Sequence, residues 1–528
     1  MTKHKLELSD KVTKDNIEEV MQQAIALELA TIPTYLSTYY SINRAQDQDV
    51  LYAKIHKQLS ISRLRSPEEI DKLAQEFKLD VLVYANKSAA LIMSVVIEEM
   101  LHLALASNVK QAVCQSAPDL MGIGKVLSFP AYLAGHKPEF EIDTAKLSLD
   151  QLTTFLQIES PKEFDKFHLE KQKQGIVDYK TIGGLYLMIE ECVRKNFPGP
   201  YKQRPQLLPP DKNPDKRKNN PKPFYSQNSV NTVHYDRDHK PKFASADDSG
   251  ELVGVHDSKT AIEAMKLICE QGEGVKKKDI PQHFLHFGEN KMPIPMPVVD
   301  DTDGGKKVEF FEGDYDDVEG KEPAHFAKFL EAYSLGHHYQ DKFKEIEGLD
   351  DFFSYFVYNQ DKNPTQADYE ASGNTALALC SKLGNAVFAY ILLMIETCYH
   401  KDESTQYDLF MYGIHKSMIW LLSGVGNQIN QYTYTSGNQV AENGKITYGT
   451  QAYKGALTFE YFAFEKSFSR PKAQIMDLVE QLAAADPTNW GWAIDSENYF
   501  PSLPDVGLDH SIVPDMPKVP STPYKHHH

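Results

Sequence analysis

Two Glu-x-x-His pairs, each set in an apolar helical stripe, constrain this chain more than any other feature of its sequence. In the first, Ile92, Val95, Val96, Glu99, His102, Leu103 and Ala106 share one face of a helix, so a carboxylate and an imidazole interrupt an otherwise apolar surface. A charge placed there must be paired or bound to a metal, because burying it alone is too costly. Glu99 and His102 are three residues apart, a spacing from which both side chains reach one ion. The second pair, Glu322 and His325, precedes Phe326, Phe329, Leu330 and Tyr333. Pro323 suits a first helical turn, which puts Glu322 at the helix start and His325 one turn inside. A single such pair arises often by chance; two, both embedded in apolar stripes, do so far less.

A carboxylate-bridged site for two metals in a four-helix bundle takes one Glu from each of two helices and a Glu-x-x-His from each of the others. On an earlier helical segment, about 13–42, Ala24, Ile25, Glu28, Ile32, Tyr35 and Tyr39 form the apolar stripe, and Glu28 is its one acidic member. Pro33 removes a hydrogen bond to the carbonyl of Leu29, so a kink is expected there. On a third segment, 258–273, Ala261, Ile262, Met265, Ile268, Cys269 and Gly272 set the buried face and place Glu273 at its edge, with Glu263, Lys266 and Glu270 on a more polar face. The chain order is thus Glu28, Glu99 with His102, Glu273, Glu322 with His325. Carboxylates with one imidazole per metal and no thiolate suit iron, two ions per chain, with manganese a lesser fit.

Helical periodicity also marks 81–113, 181–195, 374–399, 408–432 and 470–485. The fold expected is mainly α: a metal-binding four-helix bundle over 1–345, with a large insertion at about 118–257 between its second and third helices. An additional C-terminal helical region over 346–485 and an extended tail over 486–528 follow. A run rich in Pro, Lys and Asn, about 195–245, reads as an exposed loop or lid. The last three histidines resemble a purification tag and take no part in the metal argument.

The net charge of −18 argues against nucleic acid and anionic membranes as partners. The five cysteines are scattered, with no CxxC pair, and read as buried thiols of a reducing compartment. With no apolar leader at its start and no apolar run long enough to span a bilayer, the chain is expected in the cytoplasm. Other titratable groups leave two readings open. Glu98 could bridge or support the site, but its helix is apolar on nearly all sides and its facing is ambiguous. Glu190 and Glu191 could line the site or lie on a solvated face. His283 with His286, and His337 with His338, fall outside the bundle pattern and suit hydrogen-bonded structural roles. Glu396 and His400 are spaced i, i+4 near a helix end, where a histidine meeting the helix dipole is the plainer account.

The segments LELATIPTYL at 27–36, VVIEEMLHLALASN at 95–108, TIGGLY and IEEC within 181–192, and EQGEG at 270–274 resemble the ferritin-like iminophenyl-pyruvate dimer synthase family. That family includes enzymes of the violacein and rebeccamycin pathways. The likeness runs from about residue 15 to about 345, with a weaker echo in GALTFEYF at 455–462. The chain lacks the acidic residue near Gly184 and the proline within GALTFE that the family leads one to expect, and it is much shorter than the founding coupling enzymes. The resemblance implies a ferritin-like bundle, metal at the positions above, and oxidative chemistry on an amino acid or its imine.

The leading expectation is a non-heme di-iron oxidase or oxygenase using dioxygen on a small metabolite of secondary metabolism. Two alternatives stand beside it: a ferroxidase or iron-handling protein sharing the ligands, and a heme-containing coupling enzyme of the same family. A homo-oligomer and an electron-donor protein are both compatible with this reading.

Overall fold

The computed structural model describes residues 12–61, 65–133, 141–160, 181–208, 252–273, 324–436, 451–495 and 499–513, with short strands in between. It is mainly helical, as expected. Helix α1 (Ile17–Tyr40) opens with Glu18 and Glu19, which suit the positive end of its dipole, and runs through Pro33 unbroken. Asp47 accepts the amides of Asp49 and Val50 to start α2 (Gln48–Leu59).

Helix α3 (Pro67–Val113) is 47 residues long, about 70 Å at 1.5 Å per residue. Ser66 caps it by accepting the amide of Glu69, and Pro67 takes the first helical position. The helix therefore begins well before the expected Val81. Its first turns are mostly charged and bury only Ile70, Ala74 and Phe77, so they do not register as an apolar segment. From Ala89 to Val113 every residue is buried, because this half is surrounded by other helices.

Within the insertion lie α4 (Leu120–Val126), α5 (Leu149–Ile158) and α6 (Ile182–Asn196). The other bundle helices are α7 (Ser258–Glu273) and α8 (His325–Lys344). Helix α3 is central, packing on α1, α7 and α8, while α5 covers α8 and α6 bridges α7 and α1. One expectation is corrected here: His325 is the first residue of α8, with Ala324 as its N-cap, and not one turn inside. Glu322 and Pro323 lie outside the described residues.

The loop expected at 195–245 is described as far as Leu208, and this first part is not exposed throughout. Asn108 on α3 donates to the carbonyl of Leu207 and accepts its amide, so Gln206 and Leu207 are buried against the bundle. The rest of that run falls outside the described residues.

The C-terminal region holds α9 (Gln366–Ala371), α10 (Thr375–Cys398), α11 (Glu403–Leu409), a π-helical stretch (Phe410–Leu421), α12 (Leu422–Ile429), α13 (Pro471–Ala485) and α14 (Pro487–Asp495). The single helix expected over 408–432 is thus divided among α11, the π-helical stretch and α12, and the tail expected to be extended begins with α14. Tyr399 joins this region to the bundle by donating to the carbonyl of Ala104 and accepting from Gln111. Asn430 donates to the carbonyl of Tyr40. Among the described residues two helices, α3 and α10, are long and apolar enough to cross a membrane, but their most apolar windows are 100% and 83% buried inside the protein. All five cysteines are free thiols, three of them buried.

Candidate metal centre

Glu28, Glu99, His102 and His325 converge at the middle of the bundle from α1, α3 and α8, all of them buried. The Nδ1 of His102 lies 3.6 Å from Glu28 Oε2 and 3.8 Å from Glu99 Oε1. The Nδ1 of His325 lies 2.9 Å from Glu99 Oε1. The two imidazoles stack with centroids 5.0 Å apart. One ligand atom each from Glu99, His102 and His325 falls within 4.8 Å of the others, a spread that a metal with bonds of about 2.1 Å can draw together.

Two further carboxylates close the cluster. Glu159, which follows α5, places Oε2 3.5 Å from His325 Nδ1, while its Oε1 accepts the phenol of Tyr35 at 2.5 Å. Gly272 on α7 makes room for it, since a Cβ there would stand 3.3 Å from Glu159 Oε2. Glu98 has its Oε2 3.0 Å from His325 Nε2 and accepts the ammonium of the fully buried Lys328 at 2.7 Å. This resolves the facing of Glu98: it supports His325 from the side opposite Glu99. Sequence reasoning passed over Glu159 and Lys328. Leu152, Phe155, Leu156 and Glu159 are spaced i, i+3, i+4, i+7, so the apolar stripe of α5 runs on into Glu159 and could have revealed it.

The remaining polar atoms fix orientation. Gln271 Oε1 sits 3.0 Å from His102 Nε2, so in the tautomer where Nε2–H donates, Nδ1 turns its lone pair on Glu28 and Glu99. Tyr186 on α6 donates to Glu28 Oε1 at 2.6 Å, and the Thr31 hydroxyl lies 3.0 Å from Glu99 Oε2. Glu190 is buried on α6, not solvated, and lies 3.8 Å from Arg194, whereas Glu191 is exposed. The side chain of Glu273 and the whole of Glu322 lie outside the described residues, as does the His283–His286 pair's environment.

Burial and the neighbouring Glu159 push the Glu99 carboxyl up to about 7. Burial would raise Glu98 too, but Lys328 and His325 outweigh it and hold that carboxyl below its ordinary range. Against burial, Glu28 and Glu99 raise His102, and Glu159, Glu98 and Glu99 raise His325 well above an ordinary imidazole.

Without a metal the arrangement is poorly satisfied. Neither ring nitrogen of the fully buried His325 makes a well-formed hydrogen bond. Four buried carboxylates, Glu28, Glu98, Glu99 and Glu159, gather around two imidazoles with Lys328 as the ammonium paired among them. Protons on the imidazoles and on Glu99 balance these carboxylates when no metal is bound, and metal cations would supply the same positive charge in their place. The donor set, oxygens and imidazole nitrogens with no thiolate, fits iron.

A family model, Ferritin-like, matches residues 21–291, a span that includes Glu28, Glu99, His102 and Glu159. Among solved structures, a ferritin like protein from Caulobacter vibrioides is similar at 16% identity, covering 79% of this chain and 98% of that chain with a TM-score of 0.34. No curated protein matches. With the family model spanning more than half of the sequence, this chain belongs to the Ferritin-like family.

Proposed function

We propose that this chain is a non-heme di-iron oxidase or oxygenase that uses dioxygen on a small metabolite. The observation that carries the reading is His325, fully buried with neither nitrogen well hydrogen-bonded and faced by Glu98, Glu99 and Glu159. Glu28, Glu99, His102, Glu159 and His325 would hold the metal, with Glu273 and Glu322 added from their place in the sequence pattern. Two iron ions bound there would supply the electrons that reduce dioxygen.

The protein's own part is positioning and proton control. Glu98, held by Lys328, faces Nε2 of His325 and leaves Nδ1 toward the cluster, and Gln271 does the same for His102 through its contact with Nε2. Tyr35 and Tyr186 hold their protons against Glu159 and Glu28, because burial and those carboxylates raise both phenols well above their ordinary range. The surrounding apolar side chains keep bulk water from the cluster. The substrate class, an amino acid or its imine, rests on the likeness to the iminophenyl-pyruvate dimer synthases.

Anaerobic reconstitution with ferrous iron should load about two irons per chain, and dioxygen uptake should then quicken when amino-acid or imine substrates are added. Binding of less than about half an iron per folded chain removes the di-iron reading. Oxidation of tens of irons per chain into a mineral, with no organic substrate, replaces the enzyme with an iron-storage protein.

A further inference from the structure

The end of α10 meets the C-terminal tail at Glu396, His400 and His510. His510 adopts a left-handed backbone (φ 62°) that side chains other than glycine seldom take, held by its amide bonding the carbonyl of Gly507. That conformation lays its ring flat on His400, with centroids 4.2 Å apart and planes 11° from parallel.

The tautomer of His510 decides what its Nε2 can do. With the Thr397 hydroxyl giving its one hydrogen to the carbonyl of Leu393 at 2.7 Å, its contact with His510 Nδ1 at 3.0 Å is made in the tautomer where Nδ1–H donates. In the neutral ring, Nε2 then presents a lone pair, and it faces Glu396 Oε1 at 3.3 Å. Lone pair against carboxylate is repulsive unless a cation stands between them. The other oxygen of Glu396 is engaged by the amides of Leu120 and Met121, which fixes the carboxylate in this pose. A separation of 3.3 Å exceeds the 2.7–2.9 Å or so of a charge-assisted hydrogen bond. It matches instead two ligands on one tetrahedral zinc, about 3.3 Å apart for bonds of about 2.0–2.1 Å.

We infer that Glu396 Oε1, His510 Nε2 and a ring nitrogen of His400 form a second metal site for a zinc-like divalent cation. His400 is exposed and lies one turn beyond Glu396, so a change of its rotamer brings a nitrogen to the ion while the fourth position takes water. Burial lowers the affinity of both imidazoles for protons, with Lys401 and Arg204 adding to it at His400 and His400 and Lys401 at His510. That direction favours the neutral ring, the form that ligates metal. A bound ion would tie the 505–513 segment to the end of α10.

Cobalt(II) serves as the probe, added to metal-stripped full-length protein and counted by its visible bands and by elemental analysis. His510→Gly keeps a residue suited to the left-handed backbone, and His400→Ala alters an exposed side chain, so both variants should fold as judged by circular dichroism. The expected result is that each variant binds one cobalt fewer than the unaltered chain, while His102→Ala at the bundle centre retains that equivalent and iron loading of the centre is unchanged in the first two. Equal cobalt binding by the unaltered chain, His510→Gly and His400→Ala overturns the site, and so does a loss confined to His510→Gly.

Discussion

At the scale of the residue, the centre depends on which carboxylates reach it, and Glu159 and Glu270 separate the two ways a glutamate can sit on this fold. Glu159 lies 3.5 Å from His325 Nδ1 in the space left by Gly272, whereas Glu270 is exposed on the same face of α7 as Glu263 and Lys266. Glu159→Gln should therefore lose at least one iron and most turnover, while Glu270→Gln keeps its iron and changes activity by less than about threefold, equivalent to about 0.7 kcal/mol. Iron content and steady-state rates of the two variants, compared side by side, check this. If Glu270→Gln is the damaging change, α7 is rotated from the phase described. The observed phase of α7 differs slightly from its sequence pattern: Ala264 is buried while Ile262 and Cys269 are half-buried, which brings Gln271 round to His102.

At the scale of the element, α5 shows how a short helix from the insertion contributes to a site in the bundle. Its Phe155 is fully buried, edge-on to Tyr35 at 4.6 Å and against Phe329 at 4.9 Å. Those contacts lock the helix end from which Glu159 projects, and Tyr35 also holds Glu159 by its hydroxyl. Phe155→Ala should destabilise the fold by about 3–5 kcal/mol through the cavity it leaves and should weaken iron binding as well, because it frees the segment that carries Glu159. Denaturant unfolding gives the first quantity and iron titration of the folded variant the second; unaltered iron affinity would separate α5 packing from the centre. Much of the element pattern was legible in the sequence, since α7 and α10 match their periodicity within a residue at each end. The first turns of α3 were not, because a helix with three buried residues among charged ones gives little apolar signal.

At the scale of the whole molecule, the C-terminal region is fastened to itself by buried polar groups. Lys416, in the π-helical stretch, is buried and bonds to Ser502 in the turn Phe500–Ser502. Burial, with Lys472 nearby, lowers its ammonium to about 8. The folded state then releases this proton near pH 8 while the unfolded chain keeps it to its ordinary value of 10.5, so the unfolded chain holds more protons between those limits. The contribution of Lys416 to stability accordingly rises with pH across that window. Comparing Lys416→Met with the unaltered chain isolates it from the buried tyrosines and cysteines, which act in the opposite sense above their own ordinary values. The variant should gain least, relative to the unaltered chain, near pH 10.5 and most below pH 8. A difference in unfolding free energy that is flat across this range removes the assignment.

The sequence by itself determined the helical class, the bundle order and four members of the buried centre, Glu28, Glu99, His102 and His325, because a titratable group inside an apolar helical stripe has to be paired or bound wherever that stripe is covered. Only the tertiary structure decided what covers it. Glu159 meets His325 across 166 residues of chain, and Glu98 meets Lys328 across 230, pairings set by helix packing and invisible to local spacing. The same holds at the far end of α10. Glu396 and His400 look like an ordinary helix terminus until a left-handed His510 arrives from the tail, because the conformation that brings it there depends on the turn around Gly507 and not on any periodicity.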